Sequence, residues 1–248
     1  MKVTVMKTLD IVLPIKDQCL EGFFSVPRDA RGLVIFAHGS GSSRFSSRNQ
    51  HVARFLQSRG YATLLFDLLS HAEDDIDAAT GLLRFDIPLL SDRLYEVTRW
   101  LLTRPDVMGL PVAFFGASTG AAAALEAASR LSDTIRCVIS RGGRPDLAEK
   151  ALPRVTCPVL LIVGELDETV LNLNQKAKQL LTHSTCELKI VSQASHLFEE
   201  PGALEHVARL SADWLDQALR HDMRPVFPKG AASDGSSPHK PWESNRPS

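Results

Sequence analysis

Phe115-Gly116-Ala117-Ser118-Thr119-Gly120 decides how this chain reads: the apolar run 112–115 enters a Gly-x-Ser-x-Gly pattern, and the small, helix-forming alanines 121–124 leave it. The pattern describes a serine held at a sharp strand-to-helix turn. On such a turn the serine backbone is strained, so the residues two places away on either side must be nearly free of side chain. The alanines let the helix pack closely beneath the turn and aim its positive N-terminal end at the serine.

Moving outward, the runs 33–37, 62–66, 112–115, 137–139 and 159–163 are continuously apolar, as strands covered on both faces are. Residues 9–14 and 19–26 instead alternate apolar and polar around Lys16-Asp17-Gln18, which predicts a half-solvated hairpin. Parallel strands need crossovers, and helical stripes lie between the runs. Leu90, Leu94, Val97 and Leu101 mark one; Leu204, Val207, Leu210, Trp214 and Leu215 mark another. The expected fold class is α/β, doubly wound, with ligands at the carboxyl ends of the strands.

With 248 residues and 44% hydrophobic content, the chain suits one domain over residues 1–220. From 221 to 248 the composition turns to Pro, Ser, Gly and Lys, which predicts a disordered tail. A net charge of −1 without a basic run argues against nucleic acid or an anionic membrane as partner, and the expected partner is a small molecule. Residues 1–7 do not read as a secretory signal and no apolar run is long enough for a membrane span, so a cytoplasmic location is expected. Cys19, Cys137, Cys157 and Cys186 are scattered and read as buried free thiols rather than bridges. No metal-ligand spacing occurs, and no cofactor is expected.

A serine hydroxyl is a weak nucleophile unless a base and an orienting acid accompany it. Both follow in the chain. Gly164-Glu165-Leu166-Asp167 leaves the run 159–163, and Ser192-Gln193-Ala194-Ser195-His196 leaves a further strand-like run, 188–191. Ser118, Asp167 and His196 thus come in the order of the α/β-hydrolases and of neither unrelated serine-protease fold. Ahead of them, His38-Gly39-Ser40-Gly41 leaves the run 33–37 as a glycine-rich turn. Its Ser40 amide and the Thr119 amide form the expected donor pair for an oxyanion.

These four motifs together resemble the α/β-hydrolases of the dienelactone-hydrolase-like group over about residues 9–218. The resemblance implies an eight-stranded, mostly parallel sheet with helices on both faces. It also implies hydrolysis of an ester or lactone through an acyl-enzyme. Dienelactone hydrolases proper carry cysteine where this chain has Ser118, so the dienelactone itself is not the expected substrate.

Alternatives stand at several positions. Asp146, after the run 137–139, is the rival acid. Arg141 and Arg144 in the same loop match a substrate carboxylate, or else pair with the acidic loop 73–77 or simply face water. Among the other histidines, His38 reads as a structural hydrogen-bonding residue, His51, His183 and His206 as helical, and His71 as a candidate pocket residue. Only about 18 residues separate Ile139 from Cys157, too few for a large cap domain, which leaves residues 68–88 to cover the site. The mechanism expected is ester or lactone hydrolysis by a Ser118–His196–Asp167 triad. Thioester cleavage or acyl transfer by the same groups, or a non-catalytic binding module, are the alternatives.

Overall fold

The computed structural model of the protein describes residues 8–220. Eight strands form one sheet in the order β1-β2-β4-β3-β5-β6-β7-β8: β1 Thr8–Ile15, β2 Gln18–Ser25, β3 Leu33–Ala37, β4 Ala62–Phe66, β5 Val112–Ala117, β6 Ile135–Arg141, β7 Val159–Gly164 and β8 Cys186–Val191. β1 and β2 are the expected hairpin, turning through Lys16 at φ 55°, and β2 joins β4 antiparallel. From β4 to β8 every pairing is parallel.

Every residue of β3, β4, β5 and β7 is buried, because helices cover both faces. On one face α1 (Ser47–Ser58) and α6 (Ala203–Arg220) enclose Val34, Phe36, Phe115, Ile139 and Ile162. On the other, α3 (Ile87–Leu101), α4 (Thr119–Arg130) and α5 (Glu168–Leu180) cover Ile35, Leu64, Phe114, Val138 and Leu161. The stripe Leu90, Leu94, Val97 and Leu101 is the buried edge of α3, each side chain contributing about 1.5–3 kcal/mol by leaving water.

Two connections shape the carboxyl rim of the sheet. Between β6 and β7 lie only two short 3-10 turns, Pro145–Ala148 and Leu152–Arg154, so no cap domain stands over the rim. Between β4 and α3 the chain forms α2 (His71–Thr80) and a 3-10 turn, Leu83–Phe85, which make a small roof. Ser70 starts α2 by accepting the Glu73 N–H while Glu73 accepts the Ser70 N–H, and Gly81 ends it at φ 66°.

Some local expectations are corrected. His183 lies in the turn before β8, not on a helix, with its Nδ1 bonded to the Pro153 carbonyl at 2.8 Å. Cys19 is exposed and Cys186 half-buried; only Cys137 and Cys157 lie in the core, and all four are free thiols. Burial pushes the Cys137 thiol well up and Cys157 to about 12, so both stay protonated and inert. Residues 221–248, expected to form a tail, lie outside the described residues. No helix among the described residues is long and apolar enough to cross a membrane.

Candidate active site

Ser118 stands between the end of β5 and the start of α4 with φ 51° and ψ −122°, a backbone region that costs a residue bearing a Cβ about 1–3 kcal/mol. Its glycine neighbours allow a close approach on both sides. A methyl at Gly116 would collide with the Ala121 backbone, and one at Gly120 would meet the Ala37 and His38 carbonyl oxygens. The Ser118 backbone is held by the loop after β6: its N–H donates to the Arg141 carbonyl at 3.2 Å and its carbonyl accepts the Arg144 N–H at 3.0 Å.

His196 projects from the loop after β8, which Gln193 and Phe198, each at φ 57°, bend on either side and which the buried Phe198 ring anchors. Its Nδ1 lies 2.6 Å from Asp167 Oδ2, 29 residues away in sequence. Because a carboxylate only accepts, Nδ1 carries the proton and Nε2 is left with a free lone pair. Asp167 is largely shielded and the imidazole is 39% exposed, so the pair is anchored at the acid and open at the base. The ring also packs on the loop that holds Ser118: a methyl at Gly142 would lie 3.5 Å from His196 Cε1 and Nδ1.

Glu165, a neighbour of the acid, has a different task. It accepts the Gln193 N–H and the Ser192 hydroxyl, each at 2.8 Å, and so ties the loop bearing Asp167 to the loop bearing His196. These two donors hold its carboxyl below the usual range. Glu200 accepts the Ser195 N–H at 3.0 Å from the other side.

The oxyanion side holds a correction. The Ser40 N–H, expected to point at an oxyanion, donates to Thr119 Oγ1 at 2.8 Å. The Thr119 N–H, in the first turn of α4, has no intrahelical acceptor. His38 is structural: Nδ1 bonds the Gly39 carbonyl and Nε2 accepts the Leu68 N–H, both at 3.0 Å. Burial pulls its pKa down, so the imidazole is neutral.

A cavity of about 590 Å³ opens beside this turn, between the loop after β3 and the α2 roof. Gly39 and Ser40 line it, and Gly39 is the lining residue next to the serine: a methyl there would lie 3.7 Å from Ser118 Oγ. His71, the first residue of α2, lines it as expected, with Arg44, Phe45, Asp74 and Arg84.

The two arginines after β6 have different surroundings. Arg144 forks onto Asp146 at 2.7 and 2.9 Å, which occupies both the expected carboxylate clamp and the rival acid. Arg141 is 8% exposed, and Asp77 and Glu73 of the stretch 73–77 pair instead with Arg84 and Arg93. Burial, with the nearby Arg48 guanidinium, brings its pKa down to about 10.

The sequence reading missed Arg48, Glu200, and the pairing of Arg84 with Asp77 at 2.5 Å that holds the roof. All three depend on contacts between separate elements. Glu73 alone carried a local signal, the Ser70-x-x-Glu73 capping box.

The sequence model of the dienelactone hydrolase family matches residues 20–219. Among solved structures, a dienelactone hydrolase from Anabaena variabilis is 49% identical, with a TM-score of 0.84, 86% of this chain covered and 98% of that one. Est1E from Butyrivibrio proteoclasticus, at 16% identity and a TM-score of 0.70 over 85% of this chain and 99% of that one, shares the fold. Two Mycobacterium tuberculosis proteins, from strains CDC 1551 and H37Rv, are each 54% identical over 194 residues, 78% of this chain; their names assign them provisionally to the phosphoribosyl transferases. This chain spans 43% of the length of those curated relatives. With the family match running through all but the first strand of the sheet, and a half-identical dienelactone hydrolase superposing on it, the chain belongs to the dienelactone hydrolase family.

Proposed function

We propose that the protein is a serine hydrolase that cleaves a small carboxylic ester or lactone through an acyl-enzyme. The observation that carries this reading is the 2.6 Å bond between Asp167 and His196, which leaves His196 Nε2 basic on the loop that packs against the Ser118 turn. Ser118 Oγ adds to the carbonyl carbon as His196 Nε2 takes the hydroxyl proton, and Asp167 stabilises the resulting imidazolium. The carbonyl oxygen becomes an oxyanion facing the Thr119 N–H and the N-terminal end of α4. The Ser40 N–H joins as second donor when the oxyanion, a stronger acceptor than a hydroxyl, draws it from Thr119 Oγ1. His196 then passes its proton to the leaving oxygen. A water molecule, deprotonated by the same imidazole, releases the acid and restores Ser118.

A cavity of about 590 Å³ falls within the range of small-molecule pockets, about 300–1,000 Å³, and supports a compact substrate. Phe45, which lines it, is 60% exposed and supports an apolar portion on that substrate. The transferase name of the mycobacterial proteins does not alter this reading. The shared 194 residues and the hydrolase-family match each cover most of this chain and so overlap, and more than half of each relative lies outside the match.

Fluorophosphonate labelling and p-nitrophenyl acetate turnover are expected in the wild type and absent from Ser118→Ala. A folded wild type that neither labels nor turns over would end the proposal. Asp167→Asn is expected to lower kcat by about 10⁴, since it misorients the imidazole tautomer. Asp146→Asn, which loosens only Arg144, is expected to stay within about threefold of wild type, an allowance below the tenfold per 1.36 kcal/mol scale. The reverse ranking in steady-state kinetics would reassign the acid.

A further inference from the structure

Arginines that turn inward in this fold come with a carboxylate. Arg44 is paired with Asp67 and Glu21, Arg84 with Asp77, Arg93 with Glu73 and Arg144 with Asp146. Arg141 departs from this. It is 8% exposed, its Nη1 is fully buried without a hydrogen-bond partner, and among the described residues no carboxylate forms an ion pair with it. The charge acting on it is a second cation, Arg48. Arg48 is itself incompletely matched: Nη1 reaches Glu199 Oε1 at 3.2 Å, while its buried Nε has no partner. A guanidinium keeps its proton at physiological pH, and removing such an ion from water without a counter-charge costs several kcal/mol. An anion from outside the chain would supply the counter-charge that Arg141 lacks and a partner for its buried Nη1.

Both arginines stand on the histidine side of the site. Arg141 shares the α1/α6 face of β6 with Cys137 and Ile139, and Arg48 comes from the first turn of α1. The Arg141 carbonyl holds the Ser118 N–H, and the next residue, Gly142, touches the His196 ring. Glu199, the partner of Arg48, follows His196 on the same loop.

We propose that Arg141 and Arg48 form a subsite beside His196 for one small monoanion, a carboxylate or a halide, supplied either by the substrate or by solution. Delivery on the substrate presupposes the hydrolase reading above; delivery from solution does not. The planar guanidinium of Arg141 offers the forked donor pair that a carboxylate matches, and Arg48 supplies the second charge.

The test uses the full chain. Wild type, Arg141→Met and Arg48→Met are melted in formate and in chloride, against equal ionic strength of the bulky sulfonate MES. At ten times the anion's dissociation constant, the wild type is expected to gain about 3–5 °C, and Arg141→Met under a third of that. The same chains are assayed on two aryl esters of equal size, one with a carboxylate and one with a carboxamide on the acyl portion. A wild-type preference for the carboxylate ester that falls at least tenfold in Arg141→Met identifies the substrate as the source. A melting response lost in Arg141→Met with that preference unchanged identifies a free ion. An equal melting response in wild type and Arg141→Met overturns the proposal. Should Arg141→Met fail to fold, Arg48→Met carries both readouts, since its side chain is a third exposed, and a full wild-type response there overturns the two-arginine subsite. Loss of Ser118-dependent turnover would remove the hydrolase reading and leave the melting experiment standing.

Discussion

Ser118 adopts a backbone conformation that glycine tolerates and serine does not. Ser118→Gly is therefore expected to be about 1 kcal/mol more stable than Ser118→Ala, read as a higher urea midpoint at unchanged m. Equal midpoints would mean that the turn holds no strain. His38 makes a second single-residue prediction. Its buried imidazole resists protonation, so the unfolded chain takes up the proton first. Stability is then full above the ordinary value of 6.5 and falls as the pH drops below it. In His38→Gln this slope between pH 6.5 and 5 should vanish from urea titrations. Glu165, Glu200 and Asp216 have depressed carboxyl pKa values, so the stability they add is present above their ordinary values and is lost at more acid pH, leaving that limb intact. At this scale the sequence was legible wherever a residue's position follows from the strand before it, as for Ser118 after β5, Asp167 after β7 and His196 after β8. It was not legible for Arg141, because whether a guanidinium meets a carboxylate depends on which elements pack around it. Nor did it reveal that the Thr119 hydroxyl takes the Ser40 amide, a contact between loops 79 residues apart.

The elements reproduce the hydrophobic patterning closely, since continuous apolar runs have no stable place except under two layers of helix. The roof was harder to read. Residues 73–77 looked like an acidic loop, yet they are the body of α2, where Glu73 closes the cap and takes Arg93, and where Asp77 accepts the Arg84 side chain and backbone N–H. Asp77→Ala is expected to release this segment without unfolding the sheet. Amides 71–85 should exchange with solvent faster, while those of β5 keep their protection. Equal acceleration in both would show that roof and sheet open as one unit.

Across the whole molecule, α6 is pinned to the opposite end of the sheet by Asp216, which accepts Tyr61 Oη at 2.5 Å, Arg31 at 2.8 Å and Arg59 at 3.1 Å. Asp216→Ala leaves the Tyr61 hydroxyl buried without that acceptor and two cations without their carboxylate. A loss of about 2–4 kcal/mol is expected in urea unfolding. A loss below 0.5 kcal/mol would mean that the apolar face of α6 holds the helix unaided, a limit set by ordinary surface substitutions, about 0.5 kcal/mol. The eight-stranded, mostly parallel sheet was legible from the resemblance, whereas this anchor was not, because its members come from three separate stretches of chain.

The roof over the cavity is one continuous piece, residues 71–85, inserted between β4 and α3, and it contributes none of Ser118, Asp167 and His196. The roof of the cavity and the loops that carry Ser118, Asp167 and His196 thus lie on separate stretches of polypeptide. A change within this one cassette can reshape the cavity while leaving the three other loops in place.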